Sequence, residues 1–184
     1  VLAAIVAGIA AAVVTAAVAT RPDYPTGTGE AGSVVARSGG QPTADDGYIA
    51  DGDSLALSDT AAPAVARLDP ALREALDRAH AAAAEDGLDL RVGGGWRSKA
   101  YQAWLLRDAV RTYGSAEEAA RWVGTPETSQ HVKGEAVDIS PYDAADWLNR
   151  HGAQFGLCRT YDNEAWHFEL SPSAVDAGCP PMFR

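Results

Sequence analysis

The sequence predicts an α+β domain, with a small mixed or antiparallel sheet and helices packed on it. Two observations favour this class. Segments with helical spacing of apolar residues and segments with strand-like alternation follow each other without a regular βαβ order, and no internal repeat is present. The length, 184 residues, suffices for one domain with a sizeable core and some extra chain at an end.

The first twenty residues are uncharged and consist mostly of Ala, Val, Ile and Leu, a run long enough to cross a bilayer as a helix. Within it, Ala17, Val18 and Ala19 also match a small-residue signal-peptidase site. We therefore expect an exported protein that works outside the cytoplasm, in the cell wall or at the membrane. Residues 1–20 are either a cleaved signal peptide or a membrane anchor.

Composition divides the rest of the chain. Gly, Pro, Thr, Ser and Asp dominate from Arg21 to about Gly47, which predicts a flexible extracytoplasmic spacer that continues as an extended arm to residue 63. The folded domain is predicted over 64–184. The formal net charge is −10 and the basic residues are scattered. This argues against a nucleic-acid partner, because nucleic acids favour clustered Lys and Arg.

The first helix of the domain begins at Asp69-Pro70, an N-cap residue followed by a proline in the first helical position. Leu72, Ala75, Leu76, Ala79 and Ala83 then share one face, and Gly87 is the expected end. A half-buried strand is predicted over 88–92, followed by three glycines. Ser98 caps a second helix that ends near Gly114. Arg97 therefore lies at a strand-to-helix junction, where side chains often face a cleft.

The remaining elements are shorter. Ser115 opens a short helix that continues to about Val123, and residues 124–130 form a loop that leads into His131. A strand over 134–139 is expected to carry Asp138. A third helix follows, closed by Gly152. Two final strands, 155–159 and 165–170, are predicted to form a hairpin.

Cys158 and Cys179 are the only cysteines. Export would place them in an oxidising compartment, where they could form a disulfide that holds the C-terminal tail. The alternative is two buried free thiols. Neither cysteine has the short paired spacing of thiolate zinc sites.

Four residues form a constellation with chemical meaning: His131, Asp138, Glu164 and His167. Two imidazoles and one carboxylate can hold a catalytic zinc with one position open for water, and a further carboxylate can act as base. Gly134 allows the backbone to turn between the first two residues. Strict strand alternation would place Glu164 and His167 on opposite faces, so the hypothesis requires a turn or bulge between them.

These motifs resemble a known family. Ser129-x-His131-x-x-Gly134-x-Ala136-x-Asp138, followed by Glu164-x-Trp166-His167, is similar to the pattern of the D-alanyl-D-alanine carboxypeptidase and dipeptidase family of zinc peptidases. This family includes the vancomycin-resistance carboxypeptidases and shares a fold with the hedgehog signalling domain. Gly95-Trp96-Arg97-Ser98 resembles the family's Gly-Tyr-Arg-Ser motif, with Trp in place of Tyr. The resemblance covers about residues 68–170.

The resemblance implies a role for each matching residue. His131, Asp138 and His167 would bind Zn²⁺, and Glu164 would accept the proton of the attacking water. Arg97 would neutralise the developing oxyanion or pair with the terminal carboxylate of the substrate. Ser129 and Gln102 would hydrogen-bond the substrate backbone. Trp166 would either contact substrate or belong to the core, and Glu169 is interpreted as a strand charge or structural ion-pair partner.

The implied function is that of a zinc D,D-carboxypeptidase that removes the terminal D-Ala from peptidoglycan stem peptides. Alternatives within the family are L,D-carboxypeptidases and peptidoglycan endopeptidases, whose selectivity would lie in loops such as 114–128. An alternative from another class is a non-catalytic, zinc-binding recognition module of the hedgehog type. The expected partners are the stem peptide and, if residues 1–20 are retained, the membrane; we expect a monomer.

Overall fold

A five-stranded antiparallel sheet organises residues 40–183, the part of the chain that the computed structural model describes. The strands are β1 (Leu55–Ala56), β2 (Arg91–Gly94), β3 (Ala136–Ser140), β4 (Leu157–Arg159) and β5 (His167–Leu170), in the spatial order β1-β2-β3-β5-β4. The helices are α1 (Pro63–Ala66), α2 (Pro70–Glu85), α3 (Lys99–Tyr113), α4 (Ala116–Ala119), α5 (Gln130–Lys133), α6 (Tyr142–His151) and α7 (Ala174–Ala177), with 3₁₀ turns at Ala44–Asp46 and Gly152–Phe155. The predicted α+β class is confirmed.

Helix α2 forms as its sequence predicts. The Asp69 carboxylate accepts hydrogen bonds from the backbone N–H groups of Ala71 and Leu72, at 2.9 and 3.1 Å. The buried positions of the helix are the five predicted ones: Leu72, Ala75, Leu76, Ala79 and Ala83. Together with Leu90, Val92, Val137, Leu148 and Phe168 they form the core between the helices and the sheet.

Strand β2 begins later than predicted. Leu90 and Val92 are fully buried, so the alternation was interpreted correctly, but hydrogen-bonded pairing starts only at Arg91. Its neighbours set this limit, because β1 and β3 extend only as far as the residues opposite Arg91. The pairing with β3 is irregular between Val92 and Gly94, where the strand leads into the junction that carries Arg97.

The arm before α1 packs on the domain. Strand β1 pairs with β2, Leu57 is buried in the core, and Ile49 and Leu55 pack against it. The predicted signal peptide or anchor, residues 1–20, lies outside the described residues. Among residues 40–183, no helix combines the length and the hydropathy that a membrane span requires.

The C-terminal tail is fixed at two points. Cys158, on β4, forms a disulfide with Cys179, and Tyr161 pairs with Phe183 through a backbone bridge. Both contacts lie beside β5, whose first residue is His167. These contacts attach the tail to β4 and to the connection between β4 and β5.

Candidate metal centre and active-site cleft

Strand register brings two of the predicted ligands together. Asp138 on β3 lies directly opposite His167 on β5, and on its other side it is paired with Gly94 of β2. A side chain on Gly94 would collide with the Asp138 carboxylate, so the glycine is needed for this close approach. Asp138 is thus central, with a strand on each side.

The third ligand comes from α5, a single helical turn. We predicted that His131 would end a loop, and this was wrong: it lies in the helix Gln130–Lys133. The turn ends at Gly134, whose φ of +80° and contact with the Arg67 carbonyl exclude a side chain. The Gly134 carbonyl then accepts a hydrogen bond from the Asp69 N–H at 2.9 Å, which fixes α5 to the start of α2.

The three ligand atoms form a nearly equilateral triangle. His131 Nε2 lies 3.2 Å from His167 Nδ1 and 3.3 Å from Asp138 Oδ1, and His167 Nδ1 lies 3.2 Å from the same oxygen. A tetrahedral zinc with bonds of about 2.0–2.1 Å would separate its ligand atoms by roughly 3.3 Å. The donor set therefore fits zinc in both chemistry and spacing.

The outer nitrogen of each histidine ring has its own partner. His131 Nδ1 donates to the Gly95 carbonyl at 2.8 Å, and His167 Nε2 donates to Glu169 Oε1 at 3.0 Å. These contacts leave His131 Nε2 and His167 Nδ1 directed at Asp138. Such outer partners orient metal-binding imidazoles and select the tautomer that can bind.

Electrostatics distinguish the two rings. Burial lowers the pKa of His131, assisted by the charge of Arg97, so this imidazole is neutral. Burial also acts to lower the pKa of His167, but hydrogen bonds to Asp138 and Glu169 outweigh it and raise that pKa to about 9. In the absence of metal, a proton therefore occupies the position that a metal ion would take at His167.

Arg97 binds the second oxygen of Asp138. Its Nη2 donates to Oδ2 at 2.6 Å, while Oδ1 faces the histidines. Burial alone would raise the pKa of the Asp138 carboxyl, but its interactions with His131 and Arg97 hold it well below its usual value. The guanidinium thus orients an ionised ligand, and only 18% of the Arg97 side chain remains exposed to the cleft.

Glu164 reaches the same point from a turn. Residues 165–166 form this turn before β5 begins, and the His167 N–H donates to the Glu164 carbonyl at 3.3 Å. Glu164 Oε2 consequently lies 3.6 Å from His167 Nδ1, on the metal side of the ring. The turn that the hypothesis required is therefore present. Since Glu164 precedes β5, the alternation of side chains along that strand does not place it on the opposite face from His167. Burial raises the pKa of this carboxyl.

Comparison with known proteins identifies the family. Residues 65–172 match the family model of the VanY D-alanyl-D-alanine carboxypeptidases. The chain belongs to this family. It is therefore grouped with the zinc metallopeptidases, as the sequence motifs predicted.

Individual VanY-type relatives agree with this membership. A D-alanyl-D-alanine carboxypeptidase of Enterococcus faecalis (strain ATCC 700802 / V583) is 31% identical over 127 residues, which cover 55% of this chain and 46% of that protein. The chain thus spans about half the length of this relative. Two solved structures each have a TM-score of 0.57, 25% identity and 70% coverage of this chain: a mutant of the vancomycin-resistance D,D-pentapeptidase VanY with Zn(II), and VanYB with D-alanine-D-alanine. They are covered to 82% and 81%, respectively.

Further predicted residues line the cleft of this VanY-type domain. Ser129 is buried at its wall, whereas Trp166 is 48% exposed, so the core alternative for Trp166 is wrong. Gln102 is buried and already engaged on both sides: its Nε2 donates to the Gly124 carbonyl at 2.8 Å, and its Oε1 lies 3.4 Å from Arg97 Nη1. Gln102 therefore connects Arg97 to the loop that follows α4.

Sequence reasoning did not connect two neighbours to His167. Of the two alternatives for Glu169, the structural ion-pair partner is confirmed, and the group it binds is His167 Nε2. The period of two along a strand could have found it, since residues 167 and 169 share a face. Tyr161, whose ring centroid lies 5.2 Å from that of His167, had no comparable signal.

Proposed function

We propose that the chain is a zinc-dependent D,D-carboxypeptidase that removes the terminal D-Ala from peptidoglycan stem peptides. The observation that supports this most is the placement of the Glu164 carboxylate 3.6 Å from a ligand atom of a zinc-spaced His-Asp-His triangle. A purely structural zinc site has no need of a base at that position. The family and the structure of VanYB with D-alanine-D-alanine support the substrate class.

The metal ligands and Glu164 have separate roles in the proposed reaction. His131, Asp138 and His167 would hold the zinc ion, which would polarise the scissile carbonyl and acidify a bound water. Glu164 accepts a proton from the attacking water and passes it to the leaving amine; the raised pKa brings its carboxyl nearer to neutral pH, as this exchange requires.

The walls of the cleft position the peptide. Arg97, held by Asp138, presents its remaining exposed surface to the developing negative charge. Ser129 and Trp166 line the cleft and are proposed to contact the peptide backbone and a D-Ala methyl group. Gln102 supports this wall, because its amide is already bound to Gly124 and Arg97.

A substrate in the cell wall agrees with export. We propose that the domain acts outside the cytoplasm, delivered by residues 1–20. A spacer over 21–63 would let an anchored domain reach the wall. Attachment of residues 1–20 to the membrane can be tested by fractionating cells that produce the full chain.

Glu164→Gln tests the mechanism. The variant should retain zinc and lose about 10²–10⁴-fold in kcat, the usual contribution of a positioned acid–base group. Glu135→Gln is the matched control, since Glu135 is a nearby glutamate whose side chain is 52% exposed. The substrate is a stem pentapeptide ending in D-Ala-D-Ala, and the products are identified by mass spectrometry.

The products decide the specificity. Release of one D-Ala from the pentapeptide supports the proposal, while cleavage confined to a tetrapeptide or to cross-linked peptides would replace it with an L,D-carboxypeptidase or endopeptidase. Zinc-loaded protein that cleaves none of these would favour a recognition module. Glu164→Gln with full activity would instead contradict the role of Glu164 in the mechanism.

A further inference from the structure

A short segment ahead of the family match packs against the junction that carries Arg97. Residues 43–48 form a 3₁₀ turn with its flanks, whereas the family model begins at residue 65. The junction itself, residues 95–98, connects β2 to α3. The contacts between these two segments are therefore not accounted for by the residues that define the family.

Ser98 is the point of contact. Its backbone N–H donates to the Asp46 carbonyl at 2.8 Å, and its hydroxyl donates to Asp46 Oδ1 at 2.8 Å. The same hydroxyl oxygen accepts the N–H of Tyr101 at 3.0 Å and so caps α3. Asp46 thereby fixes the rotamer in which Ser98 can cap the helix.

Asp46 is itself held in place. Its other carboxylate oxygen accepts from the backbone N–H and the hydroxyl of Thr43, at 3.1 and 3.2 Å. Gly47 follows with φ +84°, and a side chain there would collide with the Trp96 carbonyl. The hydrogen bonds from Ser98 and Thr43 lower the pKa of the Asp46 carboxyl, so it accepts these bonds as an anion.

The residues on either side of Arg97 are hydrogen-bonded to residues that precede the family match. The Trp96 N–H donates to the Ala64 carbonyl at 2.9 Å, and Ser98 is bound to Asp46 as described. Arg97 contributes its own N–H to the His131 carbonyl at 3.1 Å, and its guanidinium to Asp138 at 2.6 Å. The backbone that aims the guanidinium at the metal site is thus fixed by His131 and by two residues that precede the family match, Asp46 and Ala64.

We propose that Asp46 is a positioning residue, which acts through Ser98 to hold Arg97 and, through it, the Asp138 carboxylate in the orientation that binds metal. The expected effects of Asp46 on metal binding and on the structure of the junction do not depend on the proposed function. Only its effect on turnover rests on the proposed function.

The test compares full-length variants. Asp46→Ala removes the carboxylate that accepts from the Ser98 hydroxyl and keeps the backbone carbonyl. Asp46→Asn keeps one side-chain oxygen for Ser98, and Asp45→Ala is the matched control, an exposed aspartate on the same turn. Zinc affinity is measured by competition with a chromophoric chelator. Hydrogen exchange is followed in peptides that cover residues 96–102.

We expect Asp46→Ala to lower zinc affinity about threefold to tenfold, less than the loss of a direct partner of a ligand. Exchange at the Tyr101 amide, which donates to the Ser98 hydroxyl, should become faster. Asp46→Asn should restore zinc affinity to within about twofold of the unmodified protein, since a hydrogen bond between neutral groups retains part of the interaction. Asp45→Ala should resemble the unmodified protein in both measurements.

A double variant tests the route through Ser98. Because Asp46 acts through this side chain, Asp46→Ala combined with Ser98→Ala should bind zinc no more weakly than Ser98→Ala alone. Additive losses would overturn the proposal, as would an Asp46→Ala variant with unchanged exchange and zinc affinity. If the unmodified, zinc-loaded protein releases no D-Ala, the proposed function fails, while zinc affinity and exchange still decide the role of Asp46.

Discussion

Glu169 follows His167 by two residues on β5, and its carboxylate accepts a hydrogen bond from His167 Nε2 at 3.0 Å. The His167 side chain is only 5% exposed, so water cannot readily replace this partner. Without Glu169 the ring would also be free to place its proton on Nδ1, the nitrogen that faces Asp138. We therefore expect Glu169→Ala to weaken zinc binding although it removes no ligand.

The magnitude follows from the contact that is lost. A buried donor left without a partner costs about 1–3 kcal/mol, which corresponds to roughly 5- to 150-fold in an equilibrium constant. Outer partners of metal-binding histidines typically contribute about 10–100-fold in affinity. We expect a loss of about 10–100-fold for Glu169→Ala. Glu169→Gln keeps an acceptor oxygen and loses only the charge, so its loss should stay below about tenfold.

Chelator competition at fixed pH measures these affinities. Glu135→Ala serves as the control, because the Glu135 side chain is 52% exposed and lies outside the cleft. The unfolding midpoint of the metal-stripped variants shows whether the fold survives. The reasoning is refuted if folded Glu169→Ala binds zinc within twofold of the unmodified protein, or if the Gln variant is as weak as the Ala variant.

Two further predictions concern the same centre. Gly94→Ala should lose zinc affinity, because its methyl group would collide with the Asp138 carboxylate. Gly93→Ala is the control and should keep its zinc affinity, since the nearest contact of its methyl group would be 3.4 Å. Equal zinc affinities of the two variants in chelator competition would contradict this prediction. His167, with a pKa of about 9 in the absence of metal, should release about one proton on zinc binding at pH 7, so apparent affinity should rise with pH up to about 9. Calorimetry in buffers of different ionisation enthalpy measures this release, and a pH-independent affinity would rule it out.

The same pKa has a consequence for stability. The pKa of His167 is 6.5 ordinarily and about 9 in the folded, metal-stripped protein. Its protonation therefore stabilises the fold fully below pH 6.5, and this contribution is lost as the pH rises through 9. Zinc, which binds the deprotonated ring, should offset that loss and leave the loaded protein less sensitive to alkaline pH.

The sequence allowed prediction of features that depend on local pattern. The buried face of α2 follows from a 3.6-residue period and its start from one aspartate before a proline. The donor set of the metal site could also be named, because residue type restricts which side chains bind zinc. Neither inference required knowledge of which strands pair.

Features that depend on three-dimensional neighbours could not be predicted in this way. The sequence assigned Arg97 to the cleft, but it did not indicate that the guanidinium is paired with Asp138, 41 residues away. For Gln102, which is predicted to hydrogen-bond the substrate, the sequence did not indicate that the amide is bound to Gly124, 22 residues away. The register of β2 against β3 brings Asp138 to Arg97, and the path of the loop after α4 brings Gly124 to Gln102. Neither feature can be predicted from the local periodicity of the sequence.

The charges of the site give a reason why it should hold a divalent cation. Asp138, Glu164 and Glu169 bring three carboxylates to the His167 ring, and Arg97 is the one guanidinium that binds any of them in the described part of the chain. Such an excess of negative charge raises the pKa of His167 and retains a proton there. A divalent ion would displace that proton and compensate more of the charge. The three carboxylates that raise the pKa of His167 in the metal-stripped site should thus also favour zinc binding. Removing Glu169 should therefore lower both the pKa of His167 and the zinc affinity.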